Sequence, residues 1–215
     1  QSRKEQNEVS SRLSEQVLEA LWILVRGFDE AEQRANAVGE SILQKLPEED
    51  PSKVYGGFIT VLLRLVFLLY TEDEELMPKD SLYSQNYSVS GLAARLRMDR
   101  VKFQNAMEGR RGAWGSLLSL FRLIYDGGGK YENYLPARHG DFFNPDKYPF
   151  LEGRDNNSSY IDGPLKSLPS ISDDVVEKSE DTLTFLRNYI DQIETDLDKD
   201  KLKKYAQSIY NEVSE

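Results

Sequence analysis

Apolar residues recur at helical spacing along most of this chain. From about Ser10 to Lys45, the residues Leu13, Val17, Leu21, Leu24 and Phe28 follow one another at intervals of three and four. That is one stripe of an amphipathic helix, with Glu and Arg on its other faces. Gly27 and Gly39 can each mark a break, so the pattern allows one long helix or two shorter ones. Pro47 and Pro51 end it. The next segment, about 53–76, is the most apolar. Phe58, Ile59, Val61, Leu62, Leu63, Leu65, Val66, Phe67, Leu68, Leu69 and Tyr70 cover every side, so neighbours are expected all round this helix. The run is too long for an ordinary strand, and Pro78 prevents its continuation.

A polar loop, SLYSQNY, follows. Ser88 or Ser90 then offers an N-cap for a short helix through Asp99. A further helix is expected over 100–109, interrupted by GRRG. Trp114, Leu117, Leu118, Phe121, Leu123, Ile124 and Tyr125 mark the next amphipathic stretch, which the glycines at 127–129 stop. Residues 128–170 are irregular and rich in proline, glycine and aromatic residues. A loop of that length within a domain usually has a task of its own. Two acidic amphipathic helices are expected over about 172–197 and 200–213, with stripes Leu183, Leu186, Tyr189, Ile190, Ile193, Leu197 and Leu202, Tyr205, Ile209, Val213. No internal repeat is visible.

The predicted fold class is therefore all-α, a multi-helix bundle with one long loop. Residues 1–215 read as a single helical domain, in which 1–127 form the helical core, 128–170 the loop and 171–215 the acidic helical pair. At 215 residues the chain can bury roughly 70% of its unfolded surface, enough for a core without staples. A charged, polar start that opens on Gln1 instead of Met suggests a fragment of a larger chain.

Charge and residue usage exclude several function classes. There is no cysteine, so disulfides and Cys-based zinc sites are out, which suits a cytoplasmic location. The one histidine, His139, lies in a loop and cannot form a His-pair metal centre. The apolar run at 58–70 is shorter than the ~20 residues of a membrane span and carries Arg64, so no membrane partner is expected.

The net charge of −10 does not suit a DNA-binding domain as a whole, but it is uneven. Residues 172–215 hold 12 acidic and 6 basic side chains. Residues 95–111 hold Arg95, Arg97, Arg100, Lys102, Arg110 and Arg111 against Asp99 and Glu108. Those six cations are the candidate DNA contacts, with phosphates of double-stranded DNA as the target. The bland alternative is a solvated basic face.

Other constellations favour structure over chemistry. YDGGGKYENY at 125–134 follows a helix and has Tyr131 after Lys130, so it reads as a helix stop and not a phosphate loop. In FFNPDKYPF, Asn144-Pro145 is followed by Asp146-Lys147-Tyr148. It lacks the second proline of the Asn-Pro-Pro-aromatic loop with which N-methyltransferases hold a flipped base. It reads as an aromatic-anchored loop. Glu72 and Asp73 sit at a helix C-terminus, where carboxylates oppose the macrodipole, so an arginine partner is expected. Glu177-Lys178 has the wrong spacing for a nuclease. Arg64 lies inside the most apolar helix and needs a partner, expected to be a carboxylate from Glu72, Asp73 or Glu19. Neither a catalytic residue nor a cofactor or metal site is expected in this segment.

Four stretches in order carry a resemblance: LLRLVFLLYTEDEELMP, LYSQNYSVSGLAARL, WGSLLSLFRLIYDGG and LPARHGDFFNPDKYPFLEGR. Over about residues 55–154, the chain resembles the helical region upstream of the catalytic domain in N6-adenine DNA methyltransferases. These belong to the type IIG restriction–modification class and to related phage-defence systems. The family's Tyr-x-Glu-Asp element corresponds to Tyr70, Glu72 and Asp73, after a helix bearing Arg64. Its tryptophan-led helix corresponds to the one from Trp114. Phe143, Pro145 and Asp146, then Pro149, Phe150, Glu152 and Gly153, correspond to its Phe-x-Pro-Asp and Pro-Phe-Leu-Glu-Gly elements.

The resemblance implies a parent that binds S-adenosylmethionine and methylates adenine in DNA, with or without a fused endonuclease. The methyltransferase and nuclease domains would flank this chain and be its partners. Its expected role is then that of a non-catalytic helical scaffold that positions DNA. The alternative is a helical protein–protein interaction module without DNA contact.

Overall fold

The computed structural model describes residues 2–103, 105–128, 134–164 and 166–179, with side chains in the first helix from Glu15 onward. Between Ser2 and Glu152, six α-helices and two short 3-10 turns follow one another. Among the described residues, the only strand-like pairing is a bridge between Gly128 and Leu135. The all-α expectation holds.

Helix α1 runs unbroken from Ser2 to Asn36. Gly27 does not interrupt it; it makes room for a neighbour, since a Cβ there would lie 2.6 Å from Val175 Cγ1. The chain turns at Gly39, whose φ of 78° suits a residue without a side chain. The Glu32 carboxylate then takes the backbone N–H groups of Ile42 and Leu43 at 2.7 and 3.0 Å. A single turn, α2 (Leu46–Glu49), leads into α3 (Pro51–Asp73). The first residue of α3 is proline, and its N-cap Asp50 accepts from Lys53 N.

The segment expected to be a polar loop contains a short helix, α4 (Ser81–Asn86), capped by Asp80. Of the two candidate caps for the next helix, Ser88 is the one used; α5 spans Val89–Lys102. No separate helix covers 100–109. Helix α5 ends at Lys102, and residues 105–109 form turns that bury Met107. Helix α6 (Ala113–Asp126) stops at Gly127, at φ 71°, where a Cβ would meet Ala137 N at 2.4 Å.

Between α6 and residue 173 the described residues are irregular apart from the Gly128–Leu135 bridge and 3-10 turns at Asp141–Phe143 and Pro149–Glu152. Residues 173–179 are helical again. The rest of the acidic pair, with its stripes from Leu183 to Val213, lies outside the described residues.

The core sits between α1, α3 and α6. Phe28 packs against Phe58 at 4.8 Å and edge-on to Trp114 at 5.2 Å, and Phe150 from the irregular segment closes the group at 5.7 Å from Phe58. Edge-to-face rings add about 0.5–1.5 kcal/mol per pair to their burial. Helix α3 is not enclosed, contrary to the expectation. It is long and apolar enough to cross a membrane, yet half of it is buried in the fold and the opposite face stays partly open. Among the described residues, α1, α2, α5 and the irregular segment lean on it and leave its outer side uncovered.

Candidate functional site

Most of the residues that carry the resemblance converge on one place, the segment 141–154 folded across α3 and α6, while Tyr70, Glu72 and Asp73 lie apart from it at the end of α3. Arg64 reaches it from the inner face of α3 and is only 3% exposed. Its Nε donates to Phe142 O at 2.8 Å and its Nη2 to Asn144 O at 3.3 Å. The guanidinium carbon lies 5.2 Å and 5.4 Å from the ring centres of Phe121 and Phe143. The expected carboxylate partner is therefore replaced by two carbonyls and two aromatic faces.

The physical reason is supply and demand. The 3-10 turn buries carbonyls that need donors, and a guanidinium has five N–H groups in a fixed fork. Burial pushes the Arg64 pKa down to about 10, against a smaller opposing pull from Glu152, so the side chain remains charged at neutral pH.

Glu152 is the acid at the centre of this region. It accepts from Arg122 Nε at 2.7 Å and Nη2 at 2.8 Å, a bidentate pair. It also accepts from Arg154 Nε at 2.8 Å. Arg154, itself buried, donates onward to Asp146 Oδ1 at 2.8 Å and to the carbonyls of Ser158 and Pro145, both at 2.6 Å. Asp146 Oδ1 in turn accepts from Tyr160 N at 2.8 Å, and Arg122 lies 4.1 Å from the Tyr160 ring centre. The hydrogen bond that Tyr160 donates to Asp126, with burial second, pushes its phenol pKa up to about 12. Gly153 permits the turn between Glu152 and Arg154: its φ is 71°, and a Cβ would lie 2.4 Å from Ser167 O.

Phe143 packs beside Phe67 and Phe121, while Trp114 Nε1 donates to Leu151 O at 3.0 Å. Asn144, the residue that invited comparison with a base-binding loop, accepts from Asp146 N at 2.9 Å through its own side chain. That is a local turn contact, and the amide is not aimed at a ligand. The space bounded by Arg64, Arg122, Tyr148 and Glu152 has a volume of about 10 Å³, room for one water. Chemically, this arrangement fixes a loop: Arg122, Arg154, Asp146 and Glu152 face one another, and Arg64 is held by carbonyls and rings.

Glu72 and Asp73 were expected to find an arginine. Glu72 instead crosses to the start of α5, where Oε1 accepts from Val89 N at 2.7 Å and Oε2 from Ser90 N at 3.0 Å and Ser90 Oγ at 2.7 Å. Tyr83 donates to Oε1 at 3.1 Å; burial and this carboxylate push its phenol pKa up. A carboxylate opposed to the dipole of its own helix thus satisfies the N–H groups of another. Tyr70 is half-buried and Asp73 exposed at the same end of α3. Glu72→Ala should cost about 1–3 kcal/mol, because two N–H groups and the Tyr83 hydroxyl lose their acceptor. Urea titration measures it, and an unchanged midpoint would refute this role.

The six candidate DNA contacts are not one free patch. Arg100 pairs with Asp174 at 2.8 Å and with buried Glu177. Arg110 pairs with Asp99 at 2.7 Å and reaches Asp173 at 3.5 Å. Arg95 donates to the Gln85 carbonyl, and Arg111 to the carbonyls of Glu108 and Arg110 and, at 3.2 Å, to Ser170 Oγ. Arg97 and Lys102 lie on the exposed side of α5.

Sequence reasoning missed Asp173, whose Oδ1 caps α6 by accepting from Gly112 N and Ala113 N, both at 2.8 Å. It also missed Arg122 and Arg154. The signal for Asp173 was present: a locally acidic run and a locally basic run, about 60 residues apart, each in want of counter-charge.

Burial alone would raise the Asp174 pKa, but hydrogen bonds from Lys178 and Arg100 outweigh it and hold the carboxyl below the usual carboxylate range. With a depressed folded-state pKa, its stabilisation is complete above the ordinary carboxylate pKa and drains away as pH falls through the lower folded value. Asp174→Asn is therefore expected to be less stable than the parent chain at neutral pH and to converge with it in acid, once the pH has fallen through the lowered folded-state pKa. Denaturant midpoints at the two pH values test this; a gap that widens in acid would contradict it.

His139 is exposed, at φ 47°, with its ring edge-on to Tyr125 at 5.2 Å. Beside it a cleft of about 270 Å³ is lined by Phe67, Thr71, Met77, Ile124, Tyr134 and Arg138 among others, a mostly apolar wall. Among the described residues, no group of three or more metal-capable side chains gathers. Compared with models of protein families, with curated proteins and with solved structures, the chain matches none.

Proposed function

We propose that this chain is a non-catalytic helical scaffold within a cytoplasmic, S-adenosylmethionine-dependent adenine DNA methyltransferase of the restriction–modification type. The observation that carries the reading is the convergence just described. Arg64, Trp114, Phe143, Pro145, Asp146, Phe150, Glu152 and Gly153, which the resemblance singles out one by one, meet in a single locked loop. Side chains that serve a rigid support are matched in this way, whereas a catalytic set would leave a reactive group in a cleft.

Reading the gene outward from both ends tests the parent. The proposal expects a glycine-rich cofactor loop and an Asn-Pro-Pro-aromatic motif beyond Glu215. Stop codons directly flanking the segment would overturn it.

A DNA contact, if the scaffold makes one, falls to the cations exposed along α5. Reversing Arg95, Arg97 and Lys102 to Glu is expected to weaken DNA binding by the parent. The slope of log affinity against log salt should flatten by up to about 0.9 for each phosphate that is no longer neutralised. Filter binding across a salt series measures both, and unchanged affinity removes DNA contact from the proposal. The second reading, a helical interaction module without DNA contact, is favoured by one observation: Arg100 and Arg110 already spend their charge on Asp99, Asp173, Asp174 and Glu177.

A further inference from the structure

Two guanidinium groups meet at one serine where the end of α1 approaches the start of α6. Arg34, in the last turn of α1, donates from Nη2 to Ser170 O at 2.7 Å. Arg111, just ahead of α6, donates from Nε to Ser170 Oγ at 3.2 Å. Like charges tethered to one residue repel unless an anion lies between them.

The chain itself supplies that anion poorly. Arg34 pairs with Glu30 only at 3.9 Å from Nη1, and its buried Nε has no acceptor. Arg111 spends Nη1 on the carbonyls of Glu108 and Arg110, and among the described residues its Nη2 has no acceptor and it forms no ion pair. Asp173 is already engaged, with Oδ1 capping α6 and Oδ2 facing Arg110. Burial first, and the charge of Arg34 second, hold the Arg111 pKa below its ordinary value; Asp173 and Glu30 each exert a smaller opposing pull. The Ser170 hydroxyl accepts from Arg111 and donates to no described residue. Arg111 is exposed, and Arg34 and Ser170 are half-buried, so solutes can reach the place.

We propose that Arg34, Arg111 and Ser170 form a site for a phosphate group. Three donors remain for it: Arg34 Nη1, Arg111 Nη2 and the Ser170 hydroxyl. A carboxylate presents two oxygens in one plane and suits a single guanidinium fork. The oxygens of a tetrahedral phosphate reach donors on several sides, and guanidinium groups match them well. Its charge also relieves the repulsion between the two arginines. Such a group comes either from the backbone of a nucleic acid or from free phosphate and its small esters. The site stands whether or not the whole enzyme methylates DNA; with a backbone phosphate as occupant, it adds a contact to those of α5.

NMR titration of the isotope-labelled 215-residue chain with inorganic phosphate, at fixed ionic strength, is the first arm of the test. Saturable shifts centred on Ser170 and Arg111 are expected, with a Kd on the order of millimolar. Arg111→Gln should weaken binding more than about tenfold, because hydrogen bonds between charged groups are the strong ones. Its circular dichroism should not change, since the side chain is exposed. Ser170→Ala keeps the carbonyl that Arg34 uses and should weaken binding about two- to tenfold.

The second arm separates the two sources, by fluorescence anisotropy of a labelled DNA duplex across a salt series. With a backbone phosphate as occupant, inorganic phosphate competes with the duplex. Arg111→Gln then flattens the slope of log affinity against log salt by about 0.9. A duplex that does not bind, or binds the variant equally well, assigns the site to free phosphate or a small ester. Phosphate that does not saturate, shifts centred elsewhere, or equal binding by Arg111→Gln and the unaltered chain would each overturn the proposal.

Discussion

Glu152→Gln is expected to destabilise the chain by about 2–3 kcal/mol, the cost of removing the shared acceptor from a part-buried ion-pair network. The glutamine has nearly the same shape but cannot accept from Arg122 and Arg154 as a carboxylate does. Arg154 keeps Asp146, but its Nε loses its acceptor; Arg122 is left with Asp126 at 3.9 Å. Much of the loss therefore comes from the buried Arg154 guanidinium, whose Nε is stranded away from water, and not from the attraction itself. Urea titration gives the magnitude. A double-mutant cycle with Arg122→Gln gives the coupling, expected at more than about 1 kcal/mol for a bidentate, part-buried pair. Limited proteolysis should find 141–160 cut faster in the variant. A cost under about 1 kcal/mol would mean that the network is ornamental, as most surface pairs are.

Trp114→Ala should cost somewhat more, about 3–5 kcal/mol, for a different reason. The indole is 1% exposed, stacked edge-on against Phe28, and its removal opens a hole where α1, α6 and the irregular segment meet. It also leaves Leu151 O without its donor. Trp114→Phe separates the two contributions, because it keeps a ring in the hole and gives up only the N–H. About 1–2 kcal/mol is expected for that variant. Fluorescence makes the readout direct. The chain has two tryptophans, and Trp22 is 64% exposed, so Trp114→Phe should leave only red-shifted, water-exposed emission that hardly changes on unfolding.

What could be read from the sequence and what could not divides along physical lines. The helices are legible because burial imposes a period of 3.6 residues on apolar positions. Leu21, Leu24 and Phe28 on α1, and Trp114, Leu117 and Phe121 on α6, are buried where their spacing places them. The stop at Gly127 is legible for the same local reason. Partner choice is not. A carboxylate is the expected partner for Arg64 because counter-charge is the commonest remedy for a buried cation, but carbonyls from a turn 78 residues further on meet the need instead. An arginine is the expected partner for Glu72, although helix N-termini also attract carboxylates and α5 begins beside it. The basic run at 95–111 reads as a patch because its neighbours in space, Asp173, Asp174 and Glu177, are remote in sequence. Periodicity is a local property and survives in a one-dimensional reading; ion pairing is set by the packing.

The central claim is that this chain is the support, not the catalyst, of a DNA-methylating enzyme. The most direct test is methyl transfer from labelled S-adenosylmethionine to DNA, measured for the whole gene product and for the 215-residue chain alone. The expected result is N6-methyladenine from the whole product and none from the chain by itself. The whole product carrying Glu152→Gln should yield little at a temperature where the scaffold is melted. Transfer by the isolated chain, or a whole product that methylates nothing, would contradict the claim.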